Sequence, residues 1–176
     1  MSDPKWLSRK DVEKIHTQVI EAAGGSHGLR DAGLLESAIA RPLNQHAYGE
    51  EDTFQLAASY AEGIARNHAF VDGNKRTAWT AADVFLRKNG YAIQAREDDQ
   101  HVNMMESLGQ GKMSREDAGS YLRENSREFR REQSRSDATE QRDIAQSWAE
   151  KSGQRKNKND SLEKKPTQTP SRGRKY

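Results

Sequence analysis

The nine residues His68-Ala69-Phe70-Val71-Asp72-Gly73-Asn74-Lys75-Arg76 decide how the rest of the chain is read. They bring an imidazole, a carboxylate, a glycine, an amide and two cations into one short segment. An apolar helical pattern ends just before them, near Asn67, and another opens near Asn74. A loop that feeds a helix start suits phosphate, because unpaired backbone N–H groups and the positive end of the helix dipole both face outward there.

Each residue has a chemical reading. Histidine is the side chain that titrates near neutrality, so His68 can take a proton from an attacking hydroxyl. Asp72 is a hard oxygen ligand suited to a magnesium ion that arrives with nucleotide phosphates. Gly73 lets the backbone turn sharply beside a ligand. Asn74 can cap the helix or donate to phosphate. Lys75 and Arg76 put positive charge at a helix start, where it costs stability unless an anion is bound. Phe70 is apolar and is expected to point the other way, into the core. Phosphoryl transfer asks for positioned phosphates, a metal, cations and a base. A merely exposed polar loop is the plain alternative, and the combination of residues weighs against it.

Outward from the loop, the chain reads as helices. Ser8 with Asp11 forms a capping-box variant before a stripe of Val12, Ile15, Val19 and Ala22, which Gly24-Gly25 ends. His16 beside this stripe reads as a structural histidine. Asp31 caps a second helix bearing Leu34, Leu35, Ala38 and Ile39, which Pro42 is expected to stop. Residues 43–52 then read as a polar connection. A third helix from Asp52 or Thr53 to Asn67 is apolar over a wide arc and should be central. The fourth runs from Asn74 to Asn89, a short extended piece covers Tyr91 to Ala95, and further helices are expected over 97–109 and after Ser114. Six helices and no sheet of consequence make an all-α class, with a domain over 1–125 and a tail over 126–176.

The tail explains the composition. From Ser126 onward there are fourteen Lys/Arg against eight Asp/Glu, a surplus of six; the whole chain is +2, so the first 125 residues carry −4. The basic balance therefore belongs to the tail, and the domain does not carry the charge of a nucleic-acid-binding module. Residues 127–151 read as a marginal helix, and disorder is expected from Gly153. A weak contact of this tail with nucleic acid or an acidic partner is the functional reading; a solubilising tail is the simpler one. The chain has no cysteine, which removes disulfides, thiolate metal sites and a cysteine nucleophile. No apolar run approaches the ~18 residues of a membrane span and no signal-like segment opens the chain, so a cytoplasmic protein is expected.

The loop resembles the signature of the Fic/Doc (Fido) superfamily, His-x-Phe-x-Asp/Glu-Gly-Asn-x-Arg, at His68, Phe70, Asp72, Gly73, Asn74 and Arg76. Segments 29–38 and 82–90 are similar to the death-on-curing (Doc) branch, and the likeness covers about residues 6–125. It implies a compact helical Fido fold. Two positions depart from the AMP-transferring pattern: Lys75 stands where those enzymes have glycine, and Trp79 where they carry a second arginine. Doc-like members share both features, which implies ATP bound in the reverse sense, its γ-phosphate presented to a target hydroxyl.

The resemblance further implies His68 as general base and Asp72 as the Mg2+ ligand. It assigns Gly73, Asn74, Lys75 and Arg76 to the nucleotide, with Thr80 as a smaller polar contact. It implies a toxin of a toxin–antitoxin pair that modifies a threonine of a translation elongation GTPase, neutralised by a small antitoxin whose helix crosses the site. Segment 43–52 would be the substrate-docking flap, with Tyr48 touching the target. AMP transfer is the second reading, and a non-catalytic nucleotide- or partner-binding domain the third. Ser120 to Asn125 also matches a short self-inhibitory pattern, Ser/Thr-x-x-x-Glu-Gly/Asn. Its required arginine partner is Trp79 here, so a chance match is the better reading.

Overall fold

Short polar side chains set where the helices begin. In the computed structural model, which describes residues 2–129, Ser8 and Asp11 cap α1 (Arg9–Ala23) reciprocally: the Ser8 hydroxyl accepts from the Asp11 N–H at 3.2 Å and the Asp11 carboxylate accepts from the Ser8 N–H at 2.8 Å. Asp31 caps α2 (Ala32–Ala47) through the Leu34 N–H at 3.0 Å, and Asp52 caps α3 (Thr53–Asn67) through the Phe54 N–H at 2.9 Å. Ser114 caps α6 (Arg115–Glu124) through the Asp117 N–H at 3.1 Å. By contrast, α4 (Asn74–Lys88) starts on Gly73 with no side-chain cap. The all-α class holds, with six helices among the described residues.

The third helix is the central rod. Leu56 to Ala61 are buried without interruption, and α2, α4, α5 (Gln100–Gly109) and α6 all pack on it. Tyr60 lies fully inside; its hydroxyl oxygen accepts from the Leu7 N–H at 3.1 Å, and burial pushes the phenol up to about 12. α1 packs mainly along α4, which brings the end of α1 next to the start of α4.

Three expectations need correction. Pro42 does not stop the second helix: α2 continues to Ala47 with Pro42 buried inside it, so residues 43–47 are helical and the connection shrinks to 48–52. Proline removes the bond to the carbonyl four residues back. That carbonyl, of Ala38, lies against Gly63 of α3, where a Cβ would come within 3.1 Å of it. The tight α2–α3 crossing holds the helix together past its missing bond. Second, regular structure continues past residue 125. Ser126–Glu128 forms β2, pairing antiparallel with β1 (Tyr91–Ile93) in the register Tyr91 opposite Glu128 and Ile93 opposite Ser126. Third, α5 starts at Gln100 and not 97; the Asp98 carboxylate before it accepts from the Gln100 N–H at 3.3 Å and pairs with Arg96 at 2.7 Å, and Arg96 foremost holds its carboxyl down at about 2.

The rest of the expected tail, from residue 130, lies outside the described residues. No described helix is long and apolar enough to cross a membrane. Gly63→Ala is expected to force α2 and α3 apart at the Ala38 crossing, at a cost of about 1–3 kcal/mol. Urea unfolding measures this directly, and an unchanged midpoint would show that α2 can retreat freely.

Candidate active site

The loop between α3 and α4 is held by main chain from residues 28–31. The Val71 N–H donates to the Gly28 carbonyl at 3.0 Å, and the N–H groups of Arg30 and Asp31 both reach the Ala69 carbonyl, at 2.7 and 3.0 Å. The Arg30 guanidinium donates to the carbonyl of His68. Between these anchors His68 takes φ 49° and ψ 45°, the only non-glycine residue with positive φ among those described. A left-handed histidine costs roughly 1–2 kcal/mol, so the surroundings must impose it. It leaves the imidazole exposed at the loop surface.

The inner side of the loop is as expected. Phe70 is buried and stacks on His16 with ring centroids 3.9 Å apart and planes within 5°. His16 also places Nε2 2.8 Å from the Asp72 carbonyl oxygen, so this histidine is structural and fixes the loop to α1. Gly73 takes φ 73°, and a Cβ there would meet Ile20 at 2.8 Å. The left-handed conformation favours glycine here, and any larger residue would also have to push the end of the Ile20 side chain aside.

Asn74 lines the cleft, and its side chain is bonded to the loop backbone. Its Oδ1 accepts from the Phe70 N–H at 3.0 Å and its Nδ2 donates to the Phe70 carbonyl at 2.9 Å. The amide is a clasp across the loop. What Asn74 offers an anion is its backbone: the N–H groups of residues 74, 75 and 76 have no partner among the described residues, since the first helical bond runs from Thr77 to Gly73.

These N–H groups open on a cleft of about 690 Å³, within the ~300–1,000 Å³ typical of small-molecule sites. Seven of the predicted site residues line it: His68, Asp72, Gly73, Asn74, Lys75, Arg76 and Thr80. Asp72 accepts from the Ser26 N–H at 3.1 Å and from its neighbour Gly73 at 2.7 Å; these two donors, Ser26 foremost, hold its carboxyl below the usual aspartate range. Lys75 is half exposed and reaches only loosely toward Glu106, at 3.9 Å, so it is free to meet an anion. Both terminal nitrogens of Arg76 donate to the Gly24 carbonyl at 3.2 Å, at the C-terminal end of α1. The negative end of that helix offsets the cost of a cation at the start of α4. The Thr80 hydroxyl donates to the Arg76 carbonyl at 2.9 Å and keeps its lone pairs for the cleft.

No group of three or more metal-ligating His, Cys, Asp or Glu occurs among the described residues. A single carboxylate nevertheless suits magnesium, which takes one or two protein oxygens and completes its shell with phosphate and water. Asp72, kept ionised at the cleft wall, fits that mode.

Tyr48 stands away from the cleft, 92% exposed in the turn after α2. His46 is engaged with the Glu50 carbonyl and with Trp6. Glu124 is absent from the cleft wall, so the inhibitory pattern has no geometry behind it. Sequence reading missed Arg30, Ser26, Glu106 and His101, all brought to the site from distant positions. No local signal marks them; only Trp79, four residues after Lys75 and so on its face of the helix, was within reach of spacing.

Two outcomes follow from this geometry. Asn74→Ala should lower stability by about 1–3 kcal/mol in thermal or urea unfolding, because both loop bonds go. A side chain serving phosphate alone would leave the unfolding midpoint where it was. The Asp72 contacts should persist above the ordinary aspartate value of 3.8 and be lost only as pH falls through its lowered folded value. The Ser26 and Gly73 amide resonances should therefore titrate with a midpoint under 3.8, and a midpoint above it would contradict the assignment.

Residues 6–86 match the family described as Fic/DOC family. The chain is 46% identical over 108 residues to Toxin Doc of Mycolicibacterium smegmatis, covering 59% of this chain and 80% of that protein. It is 33% identical over 111 residues to Protein kinase doc of Escherichia phage P1, covering 62% of this chain and 86% of that protein. Both alignments span most of the relative, and the signature loop and its clasp lie within the matched residues 6–86: the chain belongs to the Fic/DOC family, in its Doc-type toxin branch.

Proposed function

We propose that the chain is a toxin kinase that transfers the γ-phosphate of ATP to a serine or threonine hydroxyl of a target protein. The observation that carries this is the shared cleft: an exposed His68, an ionised Asp72, Lys75, and three unpaired N–H groups at the start of α4 all open on it. The kinase name of the phage P1 relative supports the same reaction. The target is a component of the translation machinery, an elongation GTPase by family resemblance, and a cognate antitoxin covers the site with a helical segment.

In this reading the acceptor oxygen attacks the γ-phosphorus while His68 removes its proton. The new O–P bond forms as the bond between the γ-phosphorus and the β–γ bridging oxygen breaks, and ADP leaves with that electron pair. The N–H groups of residues 74–76 and the Lys75 ammonium hold the phosphate oxygens as charge redistributes. Asp72 would hold Mg2+, which neutralises charge on the phosphates when bound. Lys75 fills the space that glycine leaves in AMP-transferring enzymes, and Trp79 removes their second arginine clamp. Both favour the terminal phosphate over the α-phosphate as the group transferred.

The test is label transfer in a bacterial lysate. Label should pass to protein from γ-labelled ATP and not from α-labelled ATP, and His68→Ala should reduce the rate by about 10²–10⁴-fold. Transfer from the α-position would establish AMP transfer in its place. Undiminished growth inhibition by His68→Ala would favour a binding domain without catalysis.

A further inference from the structure

One end of the cleft is lined mainly by aromatic and apolar side chains. Trp79 lies four residues beyond Lys75, on the same face of α4 and about 6 Å further along it. It is half-buried, lines the cleft, and lies tilted against His101 of α5 with ring centroids 4.5 Å apart. His101 is fixed from both sides. Its Nε2 lies 2.9 Å from the Gln94 carbonyl, which can only accept, and its Nδ1 lies 2.7 Å from the Tyr121 hydroxyl. The imidazole therefore cannot rotate, and it braces the indole at the cleft wall. Val102 and Met105 of α5 add apolar surface beside them. The cleft thus has two chemically distinct ends: N–H groups and cations near His68, and a braced aromatic pair a helical turn away.

We propose that Trp79, braced by His101, is the stacking platform for the nucleobase of the nucleotide. This rests on the phosphotransfer reading above and adds to it a base subsite. With the base at Trp79, the triphosphate runs toward the start of α4, and its terminal phosphate is the one nearest His68. The opposite orientation would leave the apolar ring against cations and N–H groups and the phosphates against an aromatic and apolar wall. The filled position of Trp79 also explains why an indole can stand where a second phosphate clamp is missing: the end of the cleft it occupies receives no phosphate.

The test is calorimetric titration of the full chain with Mg-ATP and, separately, with inorganic tripolyphosphate, which lacks a base. Trp79→Ala should weaken ATP by at least about fivefold, the lower end of what one aromatic–base stack contributes, and leave tripolyphosphate unchanged. Trp79→Phe should retain most of the ATP affinity while Trp79→Leu, of similar bulk, should not. That comparison stands even if the alanine variant fails to fold. Equal weakening of both ligands, or ATP binding indifferent to Phe against Leu, would overturn the platform and leave the anion site standing. A wild-type chain that binds neither ligand would overturn the phosphotransfer reading, and the platform with it.

Discussion

The amide of Asn74 closing on the backbone of Phe70 is the contact from which the rest of the site follows. It draws the two ends of the α3–α4 loop together, so that α4 can begin at Gly73 with no conventional cap. A serine or aspartate cap would have occupied one of the first N–H groups. Here the clasp reaches backward, to a residue before the helix, and leaves the groups of residues 74–76 facing the cleft. The strip at 28–31 holds the same loop from outside and imposes the left-handed turn at His68. The base and the anion cradle are therefore set by one small network of main-chain bonds, the Asn74 amide and the Arg30 guanidinium.

Charge in this region is arranged with the same economy. The start of α4 carries two cations where a helix prefers anions, an unfavourable arrangement in isolation. The α1 C-terminus lies alongside, and its Gly24 carbonyl takes the Arg76 guanidinium. Lys75 has only a distant carboxylate for company. One cation is thus committed to joining two helix ends and the other is left to a ligand, although the sequence places them side by side.

Much of the fold was legible because it is written in local signals. Ser8, Asp31, Asp52 and Ser114 cap helices at the positions their spacing indicates, and the small-residue arc of α3 marks it as central. Pro42 misled because its local rule is overridden by packing: Gly63 lets α3 press on the carbonyl that proline leaves unbonded. The extended piece at β1 was legible, but β2 and its pairing escaped because a three-residue strand carries almost no periodic signal and its partner lies some thirty-five residues away. At the site, residue type located the loop but not the division of labour within it. Whether an asparagine binds phosphate or backbone depends on where the chain turns, and Arg30, Ser26 and His101 arrive by tertiary packing alone.

The short two-stranded pairing of β1 and β2 bears on where this chain can be shortened. Phe129 donates its N–H to the Gly90 carbonyl at 3.0 Å, and Gln94 donates to the Asn125 carbonyl at 2.7 Å, so the last described residues seal the exit of α4. A stop codon placed at the end of the helical pattern, after residue 125, would strip a strand from the body and bare the edge of β1. Placed after 129, it would spare every backbone bond just named. The natural seam of the molecule lies those four residues later than the helices alone would suggest.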